Sequence, residues 1–156
     1  MRIRMLAAGT RMPGWVDAGF EAYASRLPHE CRLELKEIPL GQRGRSADAE
    51  RAVKAEGERM LANIGASDRT VAMDVLGRSF DTRRWSKLLD EWMHDGRDLC
   101  FLIGGPDGLS AECLQRAELR LSLSALTLPH GLVRVVLAEQ LYRAWSLLRG
   151  HPYHRE

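Results

Sequence analysis

Short apolar runs of strand length recur along this chain with helical patterns between them, and that alternation restricts the fold more than any other feature. Arg2 to Ala8 is strand-like, and Pro13-Gly14-Trp15 then opens a helical pattern carrying Phe20, Tyr23 and Leu27. Leu33 to Ile38 alternates apolar with charged residues, as a half-buried strand does. Ser46-Ala47-Asp48 begins a helix to about Ala62, Thr70 to Val75 reads as a buried strand, and Asp81-Thr82 begins a helix through Met93 that Gly96 ends. Leu99 to Ile103 is apolar at every position and stops at Gly104-Gly105-Pro106-Asp107-Gly108. Strands and helices in this order predict an α/β fold, a mostly parallel sheet with helices on both faces.

The last quarter has a different texture. Glu118 to Leu128 holds Leu119, Leu121, Leu123 and Leu126 without helical spacing; Pro129-His130-Gly131 follows, and then a predicted helix from Leu132 to Leu148. Its apolar positions, Trp145 among them, occupy more than one stripe, so this helix is either buried on several sides or half of it faces a partner subunit. Gly150 and Pro152 end it and leave a short tail, His151 to Glu156.

At 156 residues the chain fits a single domain spanning 1–156. No apolar run approaches the length of a membrane span and the first residues lack a secretory pattern, so a cytosolic protein is expected. Cys31, Cys100 and Cys113 show no CxxC spacing; with two of them in strand-like runs, they read as reduced core thiols, and no metal is expected. A formal charge of only +2 does not announce a nucleic-acid binder, so any RNA contact must come from local clustering, first of all in the basic loop Gly41-Gln42-Arg43-Gly44-Arg45-Ser46.

In open α/β sheets ligands bind outside the carboxyl ends of the strands, which is where Gly104 to Gly108 falls. By itself such a turn is as often a turn as a site. There is no GxxxxGK[ST] and no GxGxxG after the first strand, so this is not a standard ATP or NAD cradle.

Four stretches carry a specific resemblance: Ile103 to Ser110, Leu121 to His130, Arg134-Val135 with Glu139-Gln140-Leu141-Tyr142-Arg143-Ala144-Trp145, and the ending His151-Pro152-Tyr153-His154-Arg155-Glu156. With the start Ala8 to Pro13 and Trp15, the chain resembles over its whole length the ribosomal RNA large subunit methyltransferase H family, of the SPOUT class. That resemblance implies a C-terminal trefoil knot and a homodimer with active sites at the subunit interface. It also implies S-adenosylmethionine as methyl donor, and as acceptor the N3 of a pseudouridine in helix 69 of 23S rRNA, within the assembled 70S ribosome. Knotted chains are otherwise very rare, and spacing alone would not suggest one.

By the same resemblance the cofactor pocket comprises Met73, where the family carries leucine, Gly104 and Gly105, and the stretch Leu123, Ser124, Ala125, Leu126, Thr127 and Leu128. On apolar character alone those leucines read as core. For chemistry at the acceptor, candidates are His130, Arg134, Tyr142, Arg143, Tyr153, His154 and Arg155. The catalytic set is expected to be His154 as proton acceptor and Arg155 as anion contact, with Tyr153 and Arg143 beside them. Arg43, Arg45 and Arg143 are the expected RNA contacts, the alternative for the loop being a merely solvated one. Another uridine, a tRNA target, or a non-catalytic ribosome-binding factor are the alternatives to this function.

Overall fold

A computed structural model of the chain describes residues 1–44 and 46–154, and of Ser46, Ala47 and His154 the backbone only. In chain order the elements are β1 (Ile3–Ala8), α1 (Gly14–Ala24), β2 (Leu33–Ile38), α2 (Ser46–Leu61), β3 (Arg69–Ser79), α3 (Thr82–Asp95), β4 (Leu99–Ile103), α4 (Ala111–Arg116), β5 (Leu119–Ser122) and α5 (His130–Arg149), with short 3-10 turns at His29–Cys31 and Pro152–His154. The strands form one sheet in the order β2-β1-β4-β3-β5, and every pairing between them is parallel.

The central position of β4 follows from its composition. All five of its residues are buried, which requires cover on both faces. On one face Leu99, Phe101 and Ile103 join Ile3, Met5 and Ala7 against α1, α3 and α5, with Phe101 between Trp85 and Trp92, each ring 6.2 Å away. Removing the fully buried Phe101 ring from water stabilises the fold by about 2–3 kcal/mol. On the other face Cys100 and Leu102 join Leu6 and Ala8 against Met60 of α2 and Cys113 of α4. The strand period of two sorts these residues between the layers.

Local signals fix the helix ends that were legible. The Asp81 side chain accepts the Arg84 N–H at 2.8 Å and starts α3, and Gly96 ends it in the left-handed conformation. Several expectations need correction. β3 runs past Val75 to Ser79, the Glu118–Leu128 stretch contains β5, and α4 had no expected counterpart. The last helix starts at His130 rather than Leu132, with Pro129 just before it. Of the cysteines only Cys100 lies in a strand; Cys31 is in a 3-10 turn and Cys113 in α4, though all three are buried and unpaired. Burial pushes the Cys31 thiol up to about 12 and Cys100 to about 11, so neither is a ready nucleophile. Among the described residues no helix is long and apolar enough to cross a membrane, and no cluster of His, Cys, Asp or Glu is placed to hold a metal ion.

Candidate cofactor and acceptor sites

The sheet register brings three distant stretches to one edge. Met73 of β3 lies opposite Ile103 of β4 on one side and Leu121 of β5 on the other, so the chain after Ile103 and the chain after Ser122 leave the sheet next to Met73. Gly104–Gly105 and Leu123 with its successors therefore follow the two strands that flank Met73. The glycines are needed for packing. A Cβ on Gly104 would lie 2.5 Å from the Gly108 carbonyl carbon, since the turn closes on itself through the Gly108 N–H to Gly105 carbonyl bond of 3.1 Å. A cavity of about 650 Å³ lies elsewhere, between α1 and β2, lined by Asp17, Glu21, Leu33 and Leu35 among others, and involves none of these residues.

The segment after β5 is a shaped loop. The Ser122 hydroxyl donates to the Ser124 carbonyl at 2.8 Å, and the Ser124 hydroxyl accepts the Leu126 N–H at 3.0 Å. Ala125, Leu126 and Thr127 are exposed, Leu126 by 71%, while Leu123 and Leu128 are half-buried. The core reading of these leucines therefore fails for Leu126, which is exposed on the loop that follows β5. Along its pairing with β5, β3 bulges between Met73 and Arg78, and Leu76 is 90% exposed.

α5 runs from this edge of the sheet to the opposite one. Near its start Arg134, wholly buried, donates to the Gly9 carbonyl at 2.9 Å and to Glu37 at 2.8 Å, at the carboxyl ends of β1 and β2. At its end Arg149 pairs with Glu30. Arg134, a candidate for acceptor chemistry, is thus a buried strut. His130 is partly buried, and burial and Arg134 hold its imidazole below the ordinary value.

After Gly150 the tail folds back along α5, and Tyr153 settles against Tyr142, ring centroids 4.7 Å apart. The Tyr153 hydroxyl donates to Glu139 Oε1 at 2.9 Å, and Arg143 donates its Nε–H to the same oxygen at 2.8 Å. The Arg143 guanidinium also lies 5.0 Å from the Tyr153 ring. The structure therefore unites Arg143 and Tyr153, and adds Glu139, which sequence reasoning missed. Its spacing of i, i+4 from Arg143 was the available signal. Burial and Glu139 push the Tyr153 phenol upward, so it is a hydrogen-bond donor and not a base near neutral pH. The His154 side chain, Arg155 and Arg45 lie outside the described residues.

Arg43 is held within the subunit. Its guanidinium faces inward, with Nε 2.8 Å from Asp107 and its terminal nitrogens on Glu56, at 2.7 and 3.1 Å. Arg143 is likewise paired with Glu139. Both described arginines expected to meet RNA carry charge already balanced within the subunit.

A parallel sheet whose strand-end turns gather around an exposed apolar loop agrees with the fold shared by known methyltransferases. The family model described as Predicted SPOUT methyltransferase matches residues 1–154. The chain superposes on the crystal structure of a probable methyltransferase from Bordetella pertussis Tohama I with a TM-score of 0.58 at 18% identity, covering 92% of this chain and 93% of that one. It also superposes on a ribosomal RNA small subunit methyltransferase E from Neisseria gonorrhoeae bound to S-adenosyl methionine, with a TM-score of 0.53 at 11% identity, covering 95% and 66%. The class is therefore that of the SPOUT methyltransferases. Proteins described as ribosomal RNA large subunit methyltransferase H are 60% identical to it in Thioalkalivibrio sulfidiphilus, over 100% of both chains, and 60% identical in Alkalilimnicola ehrlichii, over 99% of both. The chain belongs to the ribosomal RNA large subunit methyltransferase H family.

Proposed function

We propose that this protein is an S-adenosylmethionine-dependent methyltransferase acting on N3 of a pseudouridine in helix 69 of 23S rRNA, in the assembled 70S ribosome of the cytosol. The observation that carries this reading is the end-to-end 60% identity to large-subunit rRNA methyltransferases, joined to the meeting of Met73, Gly104 and Leu123–Leu128 at one sheet edge. The whole chain, 1–156, is one SPOUT domain, its C-terminal part threaded as a trefoil knot, and two copies form a homodimer.

The residues present suit the cofactor. Leu123, Leu126 and Leu128 offer an apolar wall to an adenine ring, the exposed residues Ala125 to Thr127 offer backbone hydrogen bonds, and Gly104 allows the neighbouring turn to close tightly on Gly108. When bound, the sulfonium supplies the methyl group. The protein aligns the acceptor with it and manages one proton, because the imide nitrogen of a uracil ring ionises above neutrality. Arg143, oriented by Glu139, stabilises the developing anion through its remaining N–H groups, Tyr153 holds Glu139 in place through its hydroxyl, and His154 takes the proton.

Within one subunit these groups are separated. Glu139 lies nine residues into α5 from its start beside the cofactor loop, about 14 Å along the axis at the helical rise. A dimer that sets one subunit's tail against the other's loop removes that gap, and the exposed Leu126 and Leu76 are apolar surface for it to cover. The broad apolar face of α5 is itself mostly covered within the subunit, no residue from Gly131 to Leu148 being fully exposed.

The test is incubation with labelled S-adenosylmethionine and, separately, assembled ribosomes, free 23S rRNA and tRNA, followed by nuclease mapping. Label confined to helix 69 of assembled ribosomes is expected. Label elsewhere points to another target, and cofactor binding without transfer to a non-catalytic factor.

A further inference from the structure

The geometry points to Arg43 as a positioning residue that holds the glycine-rich turn in its cofactor-binding shape, and not as an RNA contact. This rests on the reading that Gly104–Gly108 borders the cofactor. Every nitrogen of the Arg43 guanidinium is used: Nε on Asp107, one terminal nitrogen on Glu56 and the Gly41 carbonyl, at 2.7 and 3.1 Å, the other on the second Glu56 oxygen. Glu56 is an anchor, since its residue is 98% buried in α2 and it also accepts the Gly41 N–H at 2.8 Å. A buried carboxylate of this kind is tolerated only with charged and hydrogen-bonded partners, and here Arg43 and Gly41 are those partners.

The Nε side of the guanidinium reaches the turn. Asp107 is half exposed, its side chain 44% accessible, and the described ion pairs give it Arg43 alone, so that pair decides where it points. The same loop touches the turn a second time, because a Cβ on Gly105 would come within 2.9 Å of Leu40. The connection from β2 to α2 is thereby bolted to the turn that follows β4, two segments about sixty residues apart in sequence. A lysine cannot replace this fork, since one ammonium cannot span both carboxylates in the same plane.

The test uses Asp107→Asn, which leaves the buried Arg43–Glu56 pair intact, together with Arg43→Lys and Arg43→Met. Affinity for S-adenosylmethionine is measured by calorimetry, and ribosome binding is followed against salt. The expected result in all three is about tenfold weaker cofactor binding, what one charge-assisted hydrogen bond is worth. KM for the cofactor rises while kcat at saturating cofactor is kept, hydrogen exchange quickens at the Gly108 amide, and the salt slope of ribosome binding is unchanged. In Asp107→Asn combined with Arg43→Met the loss does not exceed that of Arg43→Met alone. Unchanged cofactor affinity in Asp107→Asn overturns the proposal, as does a shallower salt slope in Arg43→Met, which would make Arg43 a phosphate contact. Failure of the wild-type protein to bind the cofactor overturns instead the functional reading beneath it.

Discussion

Arg134 shows how far a single side chain's role depends on its surroundings. A surface arginine in the same helix would be worth little, but this one is fully buried and satisfies the Gly9 carbonyl and Glu37 together. Arg134→Met should lower stability by about 3 kcal/mol, the low end for breaking a buried pair, because Glu37 keeps access to water. Urea unfolding measures it, and a loss below about 1 kcal/mol would mean the strut is dispensable. Beside it His130 gives a pH prediction. A histidine whose folded-state pKa is depressed stays neutral while the unfolded chain takes up a proton, so stability is full above about pH 6.5 and declines as pH falls below it. The urea midpoint should drop between about pH 7.5 and pH 5.5, and His130→Asn should make that drop smaller.

Among the elements, the seam between β3 and β5 is the most exacting. A Cβ on Gly77 would stand 2.7 Å from the backbone of Arg120, so Gly77→Ala must push the two strands apart. The expected cost is about 1–3 kcal/mol with weaker cofactor binding, read by thermal unfolding and calorimetry. A variant as stable as the wild type would mean the seam can adjust. This seam was also the part least legible in the sequence. β1 and β4 announced themselves through apolar runs, β2 through its alternation of apolar and charged residues, and α3 through Asp81 and Gly96, because those signals are local. The four residues of β5 and the six of α4 are too short to carry a period, and the extension of β3 to Ser79 depends on a bulge and a partner strand. The candidate site divides similarly. The turn at Gly104 was visible as a break after an apolar run, whereas the Arg43 fork and the Glu139 contact join residues that only the fold brings together.

At the scale of the whole molecule, the proposed dimer places cofactor and acceptor chemistry on different subunits. Sedimentation equilibrium should find a dimer of the 17.6 kDa chain at micromolar concentration, and Leu76→Asp should weaken it by charging an apolar patch. The measurement that tests the central claim most directly is complementation in mixed dimers. Leu126→Asp disables the cofactor loop, Tyr153→Ala with His154→Ala disables the tail, and each variant alone should fail to transfer methyl groups to assembled ribosomes. Co-expressed, they should regain roughly a quarter of wild-type activity, since half the dimers are mixed and each holds one intact site. No recovery, with wild-type protein active in the same assay and mixed dimers verified, would contradict the shared site and place loop and tail in one subunit.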